Sequence, residues 1–302
     1  MTYGFYSDEH EAIRMLQTRV VAHLFASSVK EEFALKGGLA FQAVMGSERA
    51  TADLDLDASQ EMPVARLREA MRRSIAAGLA GLLEGVHVTE PKQTDTVCRW
   101  KIWGMLPGTA SEVHFKVEVS RRDELATPSD ASWVDWKSEG RSVEGVTVKA
   151  HRPEVLCFMK LKALLSCMRD APRDLHDLNV LIEAGYKPEP RLMSKLTDKE
   201  LVELADEAWG KIELMTHPRF MSEVAPYLPP VVASKVDEGF YDEMRIRVGS
   251  CAESWAAEEI DRRMGPESGC WAKDSHEELI GRLRARRSST PAHQDQSHPK
   301  SK

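Results

Sequence analysis

Apolar residues recur at helical spacing over residues 8–30, where Ile13, Leu16, Val20, Val21, Leu24 and Phe25 form one stripe, and this predicts an amphipathic helix. Phe33, Ala34 and Leu35 make a short strand ended by Gly37-Gly38, and Leu39 to Met45 resumes as a helix. Residues 52–57, Ala-Asp-Leu-Asp-Leu-Asp, alternate strictly and predict a strand with one acidic face. A long helix is expected over Val64 to Leu83. Strands follow at Cys98 to Trp103 and Val113 to Ser120, with a turn over Gly104 to Thr109, and another strand covers Val143 to Lys149. After Pro153 the pattern is helical, broken at Gly185–Pro190, Pro226–Pro230 and Gly265–Gly269. No internal repeat interrupts this order. The fold class is therefore α/β: a mixed-sheet domain over 1–150, an all-helical C-terminal domain over 151–284, and a tail over 285–302.

Bulk composition narrows the class. With 302 residues, 42% hydrophobic and 29% charged, the chain can bury a substantial core. No run approaches the roughly 20 apolar residues needed to span a bilayer, so no membrane partner is expected. The first residues lack the basic and apolar segments of a secretory signal. Five scattered cysteines (Cys98, Cys157, Cys167, Cys251, Cys270) contain no CxxC pair and suggest neither a disulfide framework nor a zinc site. A cytoplasmic location is expected. The net charge of −7 argues against coating nucleic acid by broad electrostatics, while leaving room for a local basic groove. Only the end differs: from Arg282 to Lys302 four arginines and two lysines face the single Asp295, and the composition reads as a disordered basic tail.

Chemistry enters at the acidic strand. Asp53, Asp55 and Asp57 share one face, and such crowding is costly unless a cation relieves it. Carboxylates at i and i+2 suit paired magnesium ions, which lie roughly 3.5–4 Å apart in phosphoryl-transfer sites. Alone, the pattern also suits a solvated edge strand. In Val113 to Val119 the odd positions are apolar, so His114, Lys116 and Glu118 line the opposite face. If this strand neighbours the first, Glu118 joins the cluster. Upstream, Lys36-Gly37-Gly38-Leu39-Ala40 lies between strand and helix, where glycines admit close backbone approach and free N–H groups meet phosphate. Glycine turn, helix, Asp-x-Asp strand and a third acid on a later strand is the order of a nucleotidyltransferase palm.

The run Leu35-Lys36-Gly37-Gly38-Leu39-Ala40, followed by Arg49-Ala50-Thr51-Ala52-Asp53-Leu54-Asp55-Leu56, resembles the AbiEii/MenT family of nucleotidyltransferase toxins. That family carries K-G-G-T-A-L and then R-x-[ST]-x-D-[IL]-D-[LF]; this chain departs at Leu39, where threonine is usual. Lys116 to Ser120 resembles the strand bearing the family's third acid. The helical half adds Cys157 to Leu164, similar to A-E-K-L-x-A-L, and Arg173-Asp174-Leu175-His176-Asp177, similar to R-D-x-x-D. On a helical wheel Lys160 shares its face with Leu156, Cys157, Ala163, Leu164 and Cys167, and an ammonium there should meet an anion, for which triphosphate is the candidate. Lys162, Ser166, Arg169 and Arg173 fall on another face, read as solvated or RNA-facing.

The resemblance implies a bilobed enzyme, palm plus helical lobe, using NTP as substrate and Mg2+ (or Mn2+) as cofactor. Asp53, Asp55 and Glu118 would bind metal. Lys160 and Asp174 would join them in catalysis. Lys36, Gly37, Gly38, Arg49, Thr51, Lys160 and Asp177 would hold the nucleotide. It also implies transfer of a nucleoside monophosphate to the 3′ end of tRNA by the toxin of a toxin–antitoxin or abortive-infection system, with a cognate antitoxin as partner. Two alternatives stand beside it: transfer to a small molecule such as an antibiotic, and a nucleotide-sensing module without turnover.

Overall fold

The structure, a computed structural model, describes residues 8–122, 126–136, 145–165 and 172–264. Helix α1 (Asp8–Phe25) leads into β1 (Phe33–Lys36), α2 (Gly37–Met45), β2 (Asp53–Ala58) and α3 (Val64–Leu79). Five strands follow: β3 (Glu84–Gln93), β4 (Val97–Met105), β5 (Glu112–Ser120), β6 (Ala131–Trp136) and β7 (Val146–His151). Among the described residues the remainder is helical, with α4 (Pro153–Leu165), α5 (Pro172–Glu183), α6 (Pro190–Met193), α7 (Asp198–Leu214), α8 (His217–Glu223), α9 (Pro230–Ala233) and α10 (Glu238–Arg263). The expected breaks at Gly185–Pro190 and Pro226–Pro230 fall between helices. The one at Gly265–Gly269, like the basic tail, lies outside the described residues.

All seven strands join one mixed sheet in the order β3-β4-β5-β2-β1-β7-β6. β1 runs antiparallel to β2 and parallel to β7, while β2 runs parallel to β5. An α/β palm-type sheet followed by helices is thus what the chain forms. The alternation read from sequence survives in the burial: Leu54, Leu56, Trp100, Ile102, Val117 and Val119 are buried, with the acids on the other face. Burying each such side chain contributes roughly 1.5–3 kcal/mol. Helix α1 supplies Leu16, Val20, Val21 and Leu24 to the core and packs along α3 and against β5 and β7.

Two strands carry no clear sequence signal. β3 is exposed along almost its whole length and contains Pro91, a residue tolerated at a sheet edge. With no face buried, it shows no alternation. β6 forms the other edge. The first helix stops at Phe25, short of the expected 30, and β7 begins at Val146.

Described residues up to Ala257 belong to one compact unit. In the second, which begins at Glu258, Glu259 accepts hydrogen bonds from Arg262 and Arg263. No described helix is long and apolar enough to cross a membrane. Cys98 and Cys157 are buried free thiols; Cys167 and Cys270 lie outside the described residues.

Candidate active site

β1 delivers the glycine turn and β2 the acids, and their antiparallel pairing sets Lys36 opposite Asp55. Gly37 has φ +62°, a left-handed conformation that disfavours side chains, and a Cβ there would overlap the Asp55 Oδ2. Gly38 lies against Thr51, whose side chain would sit 2.9 Å from an added Cβ. Thr51 Oγ1 also accepts a hydrogen bond from the Asp53 N–H (3.2 Å), fixing the entry to β2. Turn and acids therefore meet without intervening side chains.

The parallel pairing of β2 with β5 places Asp53 opposite Lys116 and Asp55 opposite Glu118. Three carboxylates from two strands thus stand on one face. Burial, above all, and then the neighbouring Asp53 push the Asp55 carboxyl up to about 6; Glu118 adds to the rise, while Lys36 and Lys160 oppose it. Glu118 itself is held by Arg99, whose Nε lies 2.8 Å away. Among the described residues, no three His, Cys, Asp or Glu side chains converge as a finished metal-ligand set. The Asp53/Asp55 pair nonetheless fits a divalent cation, because its charge is crowded and cradled by a glycine-lined backbone.

Asp57, the third acid on the strand, belongs to a different cluster. Lys36 Nζ donates to its Oδ1 (2.6 Å) and His151 Nε2 lies 2.8 Å from its Oδ2. Burial alone would raise its pKa, yet His151 and Lys36 together hold it below the ordinary value. Lys36, expected on the nucleotide, thus lies on Asp57, and its field also reaches Asp55.

Lys160 is buried and meets anions, as its place on an apolar helix face demands, but the chain supplies them. Asp174 Oδ1 lies 2.7 Å and Asp177 Oδ2 2.6 Å from its Nζ. Asp177 also accepts hydrogen bonds from Nε and Nη2 of Arg49, each at 2.9 Å. Burial opposes ionisation of Asp177, but Arg49 and Lys160 outweigh it and hold its pKa well below the ordinary value. Arg49, just ahead of β2, is thereby tied to α5, and Lys160 of α4 lies 5.7 Å over the Phe41 ring of α2.

Helical periodicity groups Arg173 with Lys162, Ser166 and Arg169 on a solvated or RNA-facing side. Arg173 is exposed, and its Nη1 lies 3.9 Å from Asp53 Oδ2, beside the acids. Ser166 and Arg169 lie outside the described residues. Lys116 Nζ, 3.6 Å from Asp53 Oδ1, and Arg99 on Glu118 are further members to which the sequence assigns no role. Alternation alone puts Lys116 on the Glu118 face; Arg99 needs the pairing of β4 with β5, which no local pattern carries.

A model of the family described as nucleotidyl transferase AbiEii toxin, type IV toxin–antitoxin system, matches residues 19–245. Among solved structures, JHP933 from Helicobacter pylori is similar with a TM-score of 0.55 and 18% identity, covering 86% of this chain and 97% of that one. A candidate nucleotidyltransferase from H. pylori is similar with a TM-score of 0.54 and 18% identity, covering 85% and 98% of the two chains. At that identity the likeness concerns the fold. No curated protein gives a significant match.

Proposed function

Since the chain belongs to the AbiEii family of nucleotidyl transferase toxins of type IV toxin–antitoxin systems, we propose that it moves a nucleoside monophosphate from an NTP to the 3′ end of tRNA. The observation that carries this reading is the Asp55 carboxylate lying directly against Gly37, with Asp53 on the same face and Glu118 in register. In it, Asp53, Asp55 and Glu118 hold Mg2+ or Mn2+, which when bound would stabilise charge on the transferring phosphoryl group.

The chain's own residues do the positioning. Gly37 and Gly38 leave room for phosphate beside the N–H groups at the start of α2. Arg49 and Lys160, tethered by Asp177 and Asp174, set a positive field beside the acids, and Thr51 stiffens the strand entry. Arg173 stands where an incoming anionic strand would pass Asp53. The acceptor's 3′ hydroxyl oxygen bonds to the α-phosphorus, the bridging P–O bond to the β-phosphate breaks, pyrophosphate leaves with its electron pair, and the hydroxyl proton passes to solvent. An antitoxin is the partner that the family implies.

The test incubates the protein with labelled NTPs and either total tRNA or an aminoglycoside panel. Label on the tRNA 3′ end is the expected result. Label on a small acceptor alone would replace the toxin reading by small-molecule modification, and no transfer to either would leave a nucleotide-sensing module.

A further inference from the structure

The face that carries Asp53 and Asp55 continues outward across three strands. Residues paired across a sheet point to the same side. On β5, Lys116 and Glu118 stand opposite the acids. On β4, Lys101 stands opposite Lys116, Trp103 opposite His114 and Arg99 opposite Glu118. On β3, His87 stands opposite Trp103, Thr89 opposite Lys101 and Lys92 opposite Arg99. His87, Thr89, Lys92, Lys101, His114 and Lys116 are all exposed, so the face is open to solvent.

Two independent features point to what it binds. Lys101 and Lys116 confront each other directly, an arrangement that destabilises a sheet pair, and Lys101 has no anionic partner among the described residues. Arg99 and Lys116 pair with Glu118 and Asp53 on this face, whereas Lys92 and Lys101 have no anionic partner among the described residues and remain available to an outside anion. Beside them, the rings of His87 and Trp103 stack with centroids 5.1 Å apart and planes 10° from parallel. Cations beside stacked aromatic rings, whose outer faces can extend the stack onto a base, are the components of a single-stranded nucleic-acid platform. A small acceptor would instead need a concave pocket. Adjacent strands lie about 4.8 Å apart, so β4 lies about 10 Å from the acids on β2.

We propose that the β5-β4-β3 face is the platform for the single-stranded 3′ end of the acceptor RNA, with Lys101 and Lys116 on its phosphates and the His87/Trp103 stack under a base. This rests on the RNA-acceptor reading above and adds the surface that holds the acceptor.

Anisotropy of a short fluorescent single-stranded RNA, titrated with the full chain, tests it. Lys101→Glu and Trp103→Ala should each weaken RNA binding about tenfold, while Trp103→Phe retains most affinity. Lys101→Glu should also reduce the slope of log Kd against log salt by about 0.7 for each phosphate that is no longer neutralised. Calorimetry should find NTP affinity unchanged in these variants. If the unaltered protein binds RNA and both substitutions leave Kd unchanged, the platform is overturned while the RNA-acceptor reading stands. If the unaltered protein binds no RNA and modifies only a small molecule, both fall together. Loss of self-association in Lys101→Glu, with RNA affinity intact, would make the face an interface between copies and also overturn the proposal. Should Trp103→Ala fail to fold, the exposed Lys101→Glu decides.

Discussion

At neutral pH the Asp55 carboxylate keeps its charge against burial and against Asp53 and Glu118, which push its pKa up to about 6 from 3.8. The folded chain therefore binds this proton more tightly than the unfolded chain, and stability falls as pH rises between these values. Asp55→Asn should stabilise metal-free protein above about pH 6 by on the order of 1–3 kcal/mol, and so raise its melting temperature, while abolishing transfer. The gain should vanish below about pH 4, where the unaltered carboxyl is already protonated. Melts at pH 4 and pH 8 check both halves. Mg2+ should raise the melting temperature of the unaltered protein and leave that of Asp53→Ala unchanged, since a ligand that binds only the folded state stabilises it; an equal shift in the variant would remove the metal role. Asp57 behaves in the opposite way. Its pKa is lowered, so the stability it contributes is present above the ordinary carboxylate range and is lost as pH falls through its folded value. Asp57→Ala should cost about 3 kcal/mol in a denaturant melt at pH 7, because Lys36 and buried His151 lose their shared anion.

At the scale of elements, α5 is pinned to the palm by one carboxylate shared between two cations, Arg49 and Lys160. Asp177→Asn should lower stability by about 3–5 kcal/mol, and a double-mutant cycle with Arg49→Met should return a large coupling. Lys160→Ala should weaken NTP binding in a calorimetric titration and also destabilise the apo protein, since Asp174 and Asp177 both lose the ammonium they share; unchanged NTP affinity would retire the phosphate role. The acids, the glycine turn and the lysine on its apolar helix are legible in the sequence because strand alternation and helical periodicity are local. Their partners are not. Lys160 satisfies the rule that a buried ammonium meets an anion, but which anion depends on where α5 docks. A continuous helical angle places Arg173 with Lys162, whereas Pro172 opens a new helix and resets that angle. β3 leaves no trace in the sequence because an edge strand with both faces wet has no apolar rhythm to detect.

For the whole molecule, a net charge of −7 means that the proposed RNA acceptor would have to be engaged locally rather than by an overall field. Transfer to tRNA should weaken steeply from about 50 to 200 mM salt, whereas NTP affinity should change less. Deleting residues 288–302 should alter the KM for tRNA less than Arg173→Glu does, because Arg173 stands beside the acids. The site itself is assembled from pieces far apart in the chain: Gly37 and the Asp53/Asp55 pair, Glu118 on β5, Lys160 on α4 and the aspartates of α5. During synthesis the acids and the glycine turn leave the ribosome well before Asp174 and Asp177. A polypeptide stopped ahead of Pro172 has Arg49 and Lys160 without their counter-charges, so neither the site nor its packing can close. If the α5 aspartates are needed as proposed, products terminated ahead of Pro172 should show no transfer, and activity should arise only once translation has passed the middle of the message.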